Sequence, residues 1–152
     1  MSKSSNDSSV PTRLIHDTCL CLHTQRAARA LARRFDEAFR PLGLTSGQFS
    51  LLNAMNRETP RSMGEVAAIL AMDRTTLTAN LKPLERQGLM KITVDAQDRR
   101  SRKLILTAAG KKLLRAAAPV WKRTHAALER EAAAAMSGID IPNLRAGLRA
   151  IA

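Results

Sequence analysis

The segment VDAQDRRSRKLILT, residues 94–107, sets Asp98 beside Arg99, Arg100 and Arg102, with Asp95 and Lys103 on either side. A guanidinium is always charged and presents a fork of donors that matches phosphates and base edges. The partner chemistry expected of such a cluster is therefore polyanionic. Just upstream, DRTTLTANLKPLER (residues 73–86) holds Arg74, Thr75, Thr76, Thr78, Lys82 and Arg86. At helical spacing Leu77, Leu81 and Leu84 share about a 60° arc, with Thr75, Thr78, Lys82 and Arg86 broadly opposite. Short hydroxyls can approach base edges and phosphates closely, Arg74 can fork onto guanine or phosphate, and a helix N-terminus adds donors and positive potential. Lys82 and Arg86 suit phosphates. An ordinary amphipathic helix with a solvated face would carry the same stripe, so the weight of this reading comes from the basic hairpin behind the helix.

A third group combines metal-binding and redox chemistry. His16, Cys19 and His23 are spaced i, i+3 and i+7, which places them on one face of a helix and turns Cys21 elsewhere. Zinc prefers such ligands, but a closed site takes four, and i to i+7 spans about 10 Å of helix. That argues against a metal held by these residues alone. Two alternatives stay open: small cysteines buried in a subunit interface, and the lining of an effector pocket in which Arg26 or Arg29 would meet an anion. A Cys19–Cys21 disulfide is poorly placed, because side chains two apart on a helix diverge.

The elements that must position these residues are mostly helices. LIHDTCLCLHTQRAARALARRFDEAF, residues 14–39, reads as one long helix with Ala27, Leu31, Phe35 and Phe39 on a stripe, ended by Pro41 and Gly43. Thr45 with Gln48, and Ser62 with Glu65, have the spacing of capping boxes, so a second helix opens after Thr45 and a short third after Ser62, ending near Leu70. Asp73 is placed to cap the fourth, and Gly88 to close it. Pro83 predicts a bend near the middle of that helix. The period then turns extended in LMKITV and KLILT, two strands around the basic segment. Helix resumes from Thr107 towards Gly138, with Pro119 expected to kink or split it and Trp121 expected in the core. Asp140 caps a last helix whose Leu144, Leu148 and Ile151 have too little of their own chain to pack on, so a partner subunit is expected beneath them.

Two short helices joined by a tight turn, the second with a polar face, then a hairpin with a basic tip, make a winged helix-turn-helix. The fold class expected is mainly α, with a small β-hairpin wing and an N- and C-terminal helical dimerisation region. Residues 62–113 resemble the core of the MarR family of bacterial transcriptional regulators: a recognition helix, a D-x-R wing (Asp98, Arg100) and an L-T-x-x-G (Leu106, Thr107, Gly110) that opens the next helix. The resemblance covers the chain from about Leu14 to Ala152. It implies a single domain over residues 13–152, with dimerisation helices at 13–43 and 107–152, a DNA-binding lobe at 44–106 and a disordered tail at 1–12. It further implies a homodimer repressing nearby genes from a pseudo-palindromic double-stranded DNA operator, with the recognition helix in the major groove and Arg100 in the minor groove. Asp98 would pair with basic groups and hold the wing in shape, and Arg99 and Arg102 would meet phosphates or support the wing. The effector implied is a small aromatic or phenolic acid bound between the dimer helices and the DNA-binding lobe. Ala79 departs from the longer polar side chain common there. Cys21 lies 24 residues before Thr45, where the organic-peroxide-sensing branch of the family carries its reactive cysteine, though the chain has no tyrosine to hold a thiolate. A thiol-based redox regulator using Cys21 is thus the second reading.

Composition agrees with a nucleic-acid partner. The 152 residues carry a net charge of +12, are 45% apolar and include two cysteines. A polyanion is implied, nucleic acid before an anionic membrane surface. No stretch reaches the roughly 18 apolar residues of a membrane span, and the expected location is the cytoplasm. Three Phe and one Trp leave little material for stacking on single strands. No P-loop, G-x-G-x-x-G, H-E-x-x-H or G-x-S-x-G is present, so neither an enzyme nor a cofactor is expected. The remaining rival is a basic nucleoid or ribosome-type protein that binds polyanions without sequence preference.

Overall fold

The computed structural model describes residues 11–135 and 137–152. The tail expected at 1–12 lies outside the described residues as far as residue 10. The described residues open with two helices where one was expected: α1, Thr12–Thr18, and α2, Leu20–Phe39. Thr18 Oγ1 donates to the Leu14 carbonyl at 2.7 Å, and Cys19 leaves the helical region at φ −70°, ψ 104°. Cys19 Sγ then accepts from the Leu22 N–H at 3.4 Å, which makes this cysteine the N-cap of α2. A short 3-10 turn, Arg40–Leu42, ends the run at Gly43, whose φ of 62° is left-handed.

Two local capping boxes set the next helices. Gln48 N–H donates to Thr45 Oγ1 (3.2 Å) and Thr45 N–H to Gln48 Oε1 (3.1 Å), opening α3, Ser46–Met55. Glu65 N–H and Ser62 Oγ (3.2 Å), with Ser62 N–H and Glu65 Oε2 (2.6 Å), repeat the device for α4, Met63–Ile69. The Ser62 backbone N–H holds the Glu65 carboxyl below its ordinary range. Between α4 and α5, Arg74–Arg86, the chain turns through Ala71 at φ 49°. The turn is closed by Ala71 N–H to Ala68 O (3.2 Å) and Met72 N–H to Ala67 O (2.9 Å).

After Gly88 (φ 69°) come β2, Met90–Val94, and β3, Arg102–Leu106, antiparallel with Met90 opposite Leu106 and Val94 opposite Arg102. A two-residue strand that the sequence did not reveal, β1 at Arg61–Ser62, adds to the free edge of β3 and gives the order β1-β3-β2. Two residues are too few to show alternation, and Ser62 reads as a helix cap. The long α6, Ala108–Ala135, runs unbroken through Pro119, and α5 runs unbroken through Pro83. In both cases the carbonyl that loses its donor, on Arg115 and Ala79 four residues back, belongs to an exposed residue, where water can replace the lost bond. The last helix is α7, Ile141–Ala150, capped by Asp140 accepting from Asn143 N–H at 3.0 Å.

The core gathers Phe39, Leu51, Leu52, Met55, Val66, Leu77, Leu81, Leu84, Met90 and Leu104, all at 2% exposure or less. Phe39 stacks between Phe35 and Phe49, with centroids at 5.9 and 4.8 Å. Helices α1 and α7 bury nothing, and Leu14, Leu20, Leu31, Leu144, Leu148 and Ile151 are exposed. A clasp of Arg34 with Glu131 (2.5 and 2.7 Å) ties α2 to α6 and holds the Glu131 carboxyl below its ordinary range.

The L-T-x-x-G acquires a physical meaning at the start of α6. Thr107 N–H donates to Leu89 O (3.1 Å), Thr107 Oγ1 to Gly88 O (2.7 Å), and Gly110 N–H to Thr107 Oγ1 (3.1 Å). Gly110 is packed so closely that a Cβ there would stand 2.1 Å from Leu89 O and 2.7 Å from Leu106 Cδ1. Both the wing base and α6 would have to move apart to admit it. Gly110→Ala is expected to lose at least about 1–3 kcal/mol in urea unfolding. Gly47→Ala, which meets nothing within 4 Å, should be neutral or slightly stabilising, and equal midpoints for the two variants would refute the close-packing account.

Candidate nucleic-acid interface

Helix α5 is anchored from one side and started from one end. Leu77, Leu81 and Leu84 are at 0, 1 and 0% exposure, while Arg74, Thr75, Thr76, Thr78, Ala79, Lys82 and Arg86 are exposed. Asp73 accepts from Thr76 N–H at 2.8 Å and from Thr76 Oγ1 at 2.6 Å. The Thr76 hydroxyl, with the backbone N–H behind it, holds the Asp73 carboxyl below its ordinary range, so the cap stays ionised well into acid. Thr78 Oγ1 donates to the Arg74 carbonyl at 2.7 Å. Two of the hydroxyls expected to reach bases thus spend their protons inside the helix. Arg74 lies back over the start of α4, its Nη2 3.5 Å from where a Cβ on Gly64 would be.

The wing loop needs no glycine because two aspartates fold it. Asp95 Oδ1 accepts from Gln97 N–H (3.0 Å), and Asp98 Oδ1 accepts from Arg100 N–H (2.9 Å). Ser101 N–H donates to Asp98 O (2.9 Å) and Asp95 N–H to Ser101 O (3.1 Å). Such side-chain turns replace the left-handed residues of a tight hairpin, and no wing residue has positive φ. Asp98 therefore braces the wing through a backbone amide, where pairing with a basic side chain was expected. The ion pair belongs to Asp95, with Lys103 Nζ at 3.4 Å. The Gln97 N–H, then Lys103, hold the Asp95 carboxyl below its ordinary range. Arg102 turns its Nη1 back to the carbonyls of Arg99 (3.0 Å) and Ser101 (3.4 Å). Among the described residues, Arg74, Lys82, Arg86, Arg99 and Arg100 form no ion pair. These are charges held on a fixed frame with no internal partner.

A cavity of about 1100 Å³ opens between α2, α3 and α6. Phe35, Phe39, Phe49 and Trp121 form its apolar wall, Arg57, Arg61, Lys111, Arg115 and Lys122 supply positive charge, and no acidic residue lines it. Trp121, expected in the core, is 36% exposed because it faces this space. It stacks on His125 at 4.7 Å and 10°. Lys111, Arg115 and Lys122 recur at i, i+4 and i+11 on α6, one stripe that the sequence reading passed over because it sits on a helix read as structural.

The histidines and cysteines do not converge. His16 Nδ1 lies 2.8 Å from Asp17 Oδ1, and His23 Nε2 lies 3.3 Å from Asp17 O. Cys21 Sγ, exposed, accepts from Gln25 Nε2 at 3.2 Å, and Arg29 donates to Gln25 Oε1 at 3.1 Å. With the helix broken at Cys19, the shared face expected of His16, Cys19 and His23 does not exist. Among the described residues no group of three His, Cys, Asp or Glu could hold a metal. Neither cysteine is buried within the chain, and none of His16, Cys19, Cys21, His23, Arg26 or Arg29 lines the cavity.

A capped helix-turn-helix backed by a three-stranded sheet with a basic tip defines a winged helix-turn-helix protein. Residues 42–101 match the MarR family model. The M. tuberculosis transcriptional regulator MosR, crystallised in complex with DNA, is 36% identical, with 88% of this chain and 93% of that chain covered and a TM-score of 0.74. CouR, a transcriptional repressor solved on a 23-mer DNA duplex, is 27% identical over 95% of this chain and 99% of that one, with a TM-score of 0.74. The transcriptional activatory protein BadR of Rhodopseudomonas palustris is 33% identical over 89 residues, 57% of this chain and 51% of BadR. The chain spans about half the length of the curated relatives it matches. It belongs to the MarR family of transcriptional regulators. No described helix is long and apolar enough to cross a membrane.

Proposed function

We propose that this protein is a homodimeric repressor that binds a pseudo-palindromic double-stranded operator in the cytoplasm and is released by a small-molecule effector. The observation that carries the reading is the pairing of α5 with a rigid wing whose Arg99 and Arg100 have no internal partner. Helix α5 would enter the major groove, with Lys82 and Arg86 on phosphates, while Arg100 enters the minor groove. Arg102, folded back on the wing, acts as a support. The exposed apolar residues of α1, α2 and α7 (Leu14, Leu20, Leu31, Leu144, Leu148, Ile151) are surface that a second subunit would cover. MosR and CouR, both solved with DNA, support the partner, and CouR is a repressor by its printed name.

The direct test selects duplexes from a random library and compares the best with a scrambled one across a salt series. A clear preference that persists at high salt is expected, and equal affinity at every salt concentration would replace the regulator with a general polyanion binder. Arg100→Ala should weaken the selected duplex about 5- to 150-fold and lower the salt slope by about one, with the dimer still folded. Normal binding would remove the wing from the interface.

The cavity supports an aromatic or phenolic acid as effector, with rings against Phe49 and Trp121 and the carboxylate on Arg115 or Lys111. A panel of hydroxybenzoates and hydroxycinnamates should include one that releases wild-type protein from DNA. Arg115→Ala should blunt that release and keep DNA affinity; an unchanged response would move the effector elsewhere.

The exposure of Cys21 favours the redox reading as a second. Oxidation by an organic peroxide would turn its thiol into a sulfenic acid, one peroxide oxygen passing to Cys21 Sγ and the rest of the peroxide leaving as the alcohol. Peroxide should then release DNA from wild-type protein and leave Cys21→Ser bound; identical responses would retire this reading.

A further inference from the structure

The outward surface of α5 is poorer in hydrogen-bond donors than its composition suggests. Thr76 and Thr78 keep their hydroxyl protons on Asp73 Oδ2 and the Arg74 carbonyl, so towards solvent they present oxygen lone pairs and γ-methyl groups. The Arg74 guanidinium is drawn over Gly64, and Asn80 Nδ2 turns to Met72 Sδ at 3.9 Å. What stands in the middle of the face is Ala79. At helical spacing it lies within about 15° of directly opposite the mean direction of Leu77, Leu81 and Leu84, closer to it than any other residue in the first two turns. Thr75 lies about one turn before it and Lys82 almost one turn after, so a small apolar spot stands between a hydroxyl and a cation.

We propose that Ala79 is a specificity-determining residue that recognises the C5-methyl group of thymine in the major groove, with the methyl groups of Thr75 and Thr78 around it. The proposal rests on the DNA-binding reading above. Thymine offers the only apolar group on a major-groove edge, and alanine and threonine methyls are its natural contacts. Set against cytosine or guanine, the same spot would cover the cytosine amino group or the guanine O6 and N7 with nothing to bond to them, which penalises those bases as well. The short side chains of Thr75, Thr78 and Ala79 also allow the helix backbone to lie deep enough for van der Waals contact with the methyl.

The test uses the duplex that the full-length chain selects from a random library, resynthesised with deoxyuridine replacing thymidine one position at a time. This deletes only the methyl group. Wild-type protein should lose about fourfold in affinity, the worth of one buried methyl, at one position in each half-site. Ala79→Gly should bind the thymidine and deoxyuridine duplexes equally. Each protein is compared with itself, so any loss of folded fraction cancels. Arg86→Ala should weaken both duplexes and keep the fourfold ratio. The proposal is overturned if no deoxyuridine substitution weakens the wild type, or if Ala79→Gly keeps the full ratio. If the library yields no preferred duplex, the failure lies with the DNA-binding reading itself.

Discussion

Everything that positions the candidate interface passes through one close contact, where the first turn of α6 meets the end of α5. Thr107 bonds both Gly88 and Leu89, and Gly110 brings the helix backbone within a distance that no side chain allows. Helix α5, the wing base and the long α6 are thereby locked into one body. A displacement of α6 would be passed to α5 and the wing, because a close-packed junction transmits strain. The cavity is lined by α6 and by α2 and α3, so a ligand there would press on the element that carries this junction.

The electrostatics divide into charges that shape the chain and charges left over. Asp73, Asp95 and Asp98 are consumed by backbone and hydroxyl donors at the start of α5 and in the wing. Each of these acids fixes geometry near basic residues without cancelling them, apart from Lys103, which Asp95 holds. Arg99, Arg100, Lys82 and Arg86 remain as net positive charge on rigid supports. Much of the +12 imbalance therefore acts outward, as association with a polyanion requires.

The two prolines and Cys19 show how local rules yield to context. Pro83 and Pro119 each forfeit a helical bond, yet in both cases the orphaned carbonyl is on an exposed residue, where solvent can substitute, and neither helix breaks. At Cys19 nothing in the apolar stripe signals a stop. There the chain turns because the Thr18 hydroxyl closes the preceding turn and the Cys19 sulfur can start the next. The residues beside it contribute no buried surface that would hold a continuous helix straight.

What the sequence determined by itself is everything that rests on near neighbours. Capping pairs at Thr45/Gln48, Ser62/Glu65 and Asp73/Thr76, the leucine stripe of α5, the left-handed Gly43 and Gly88, and the two wing strands all depend on groups within a few residues of each other. The resemblance carried by Asp98, Arg100, Leu106, Thr107 and Gly110 fixed the order of the elements in the same way. Tertiary structure alone decided the third strand at Arg61–Ser62, the cavity that draws Arg57, Arg61, Lys111, Arg115 and Trp121 to one place, and the contact of Gly110 with Leu89. These depend on segments brought together over long separations, and no periodicity records them. It also decided which donors stay free. Arg100 and Arg102 look alike in the sequence, but the wing's own carbonyls claim Arg102 and leave Arg100 unpaired.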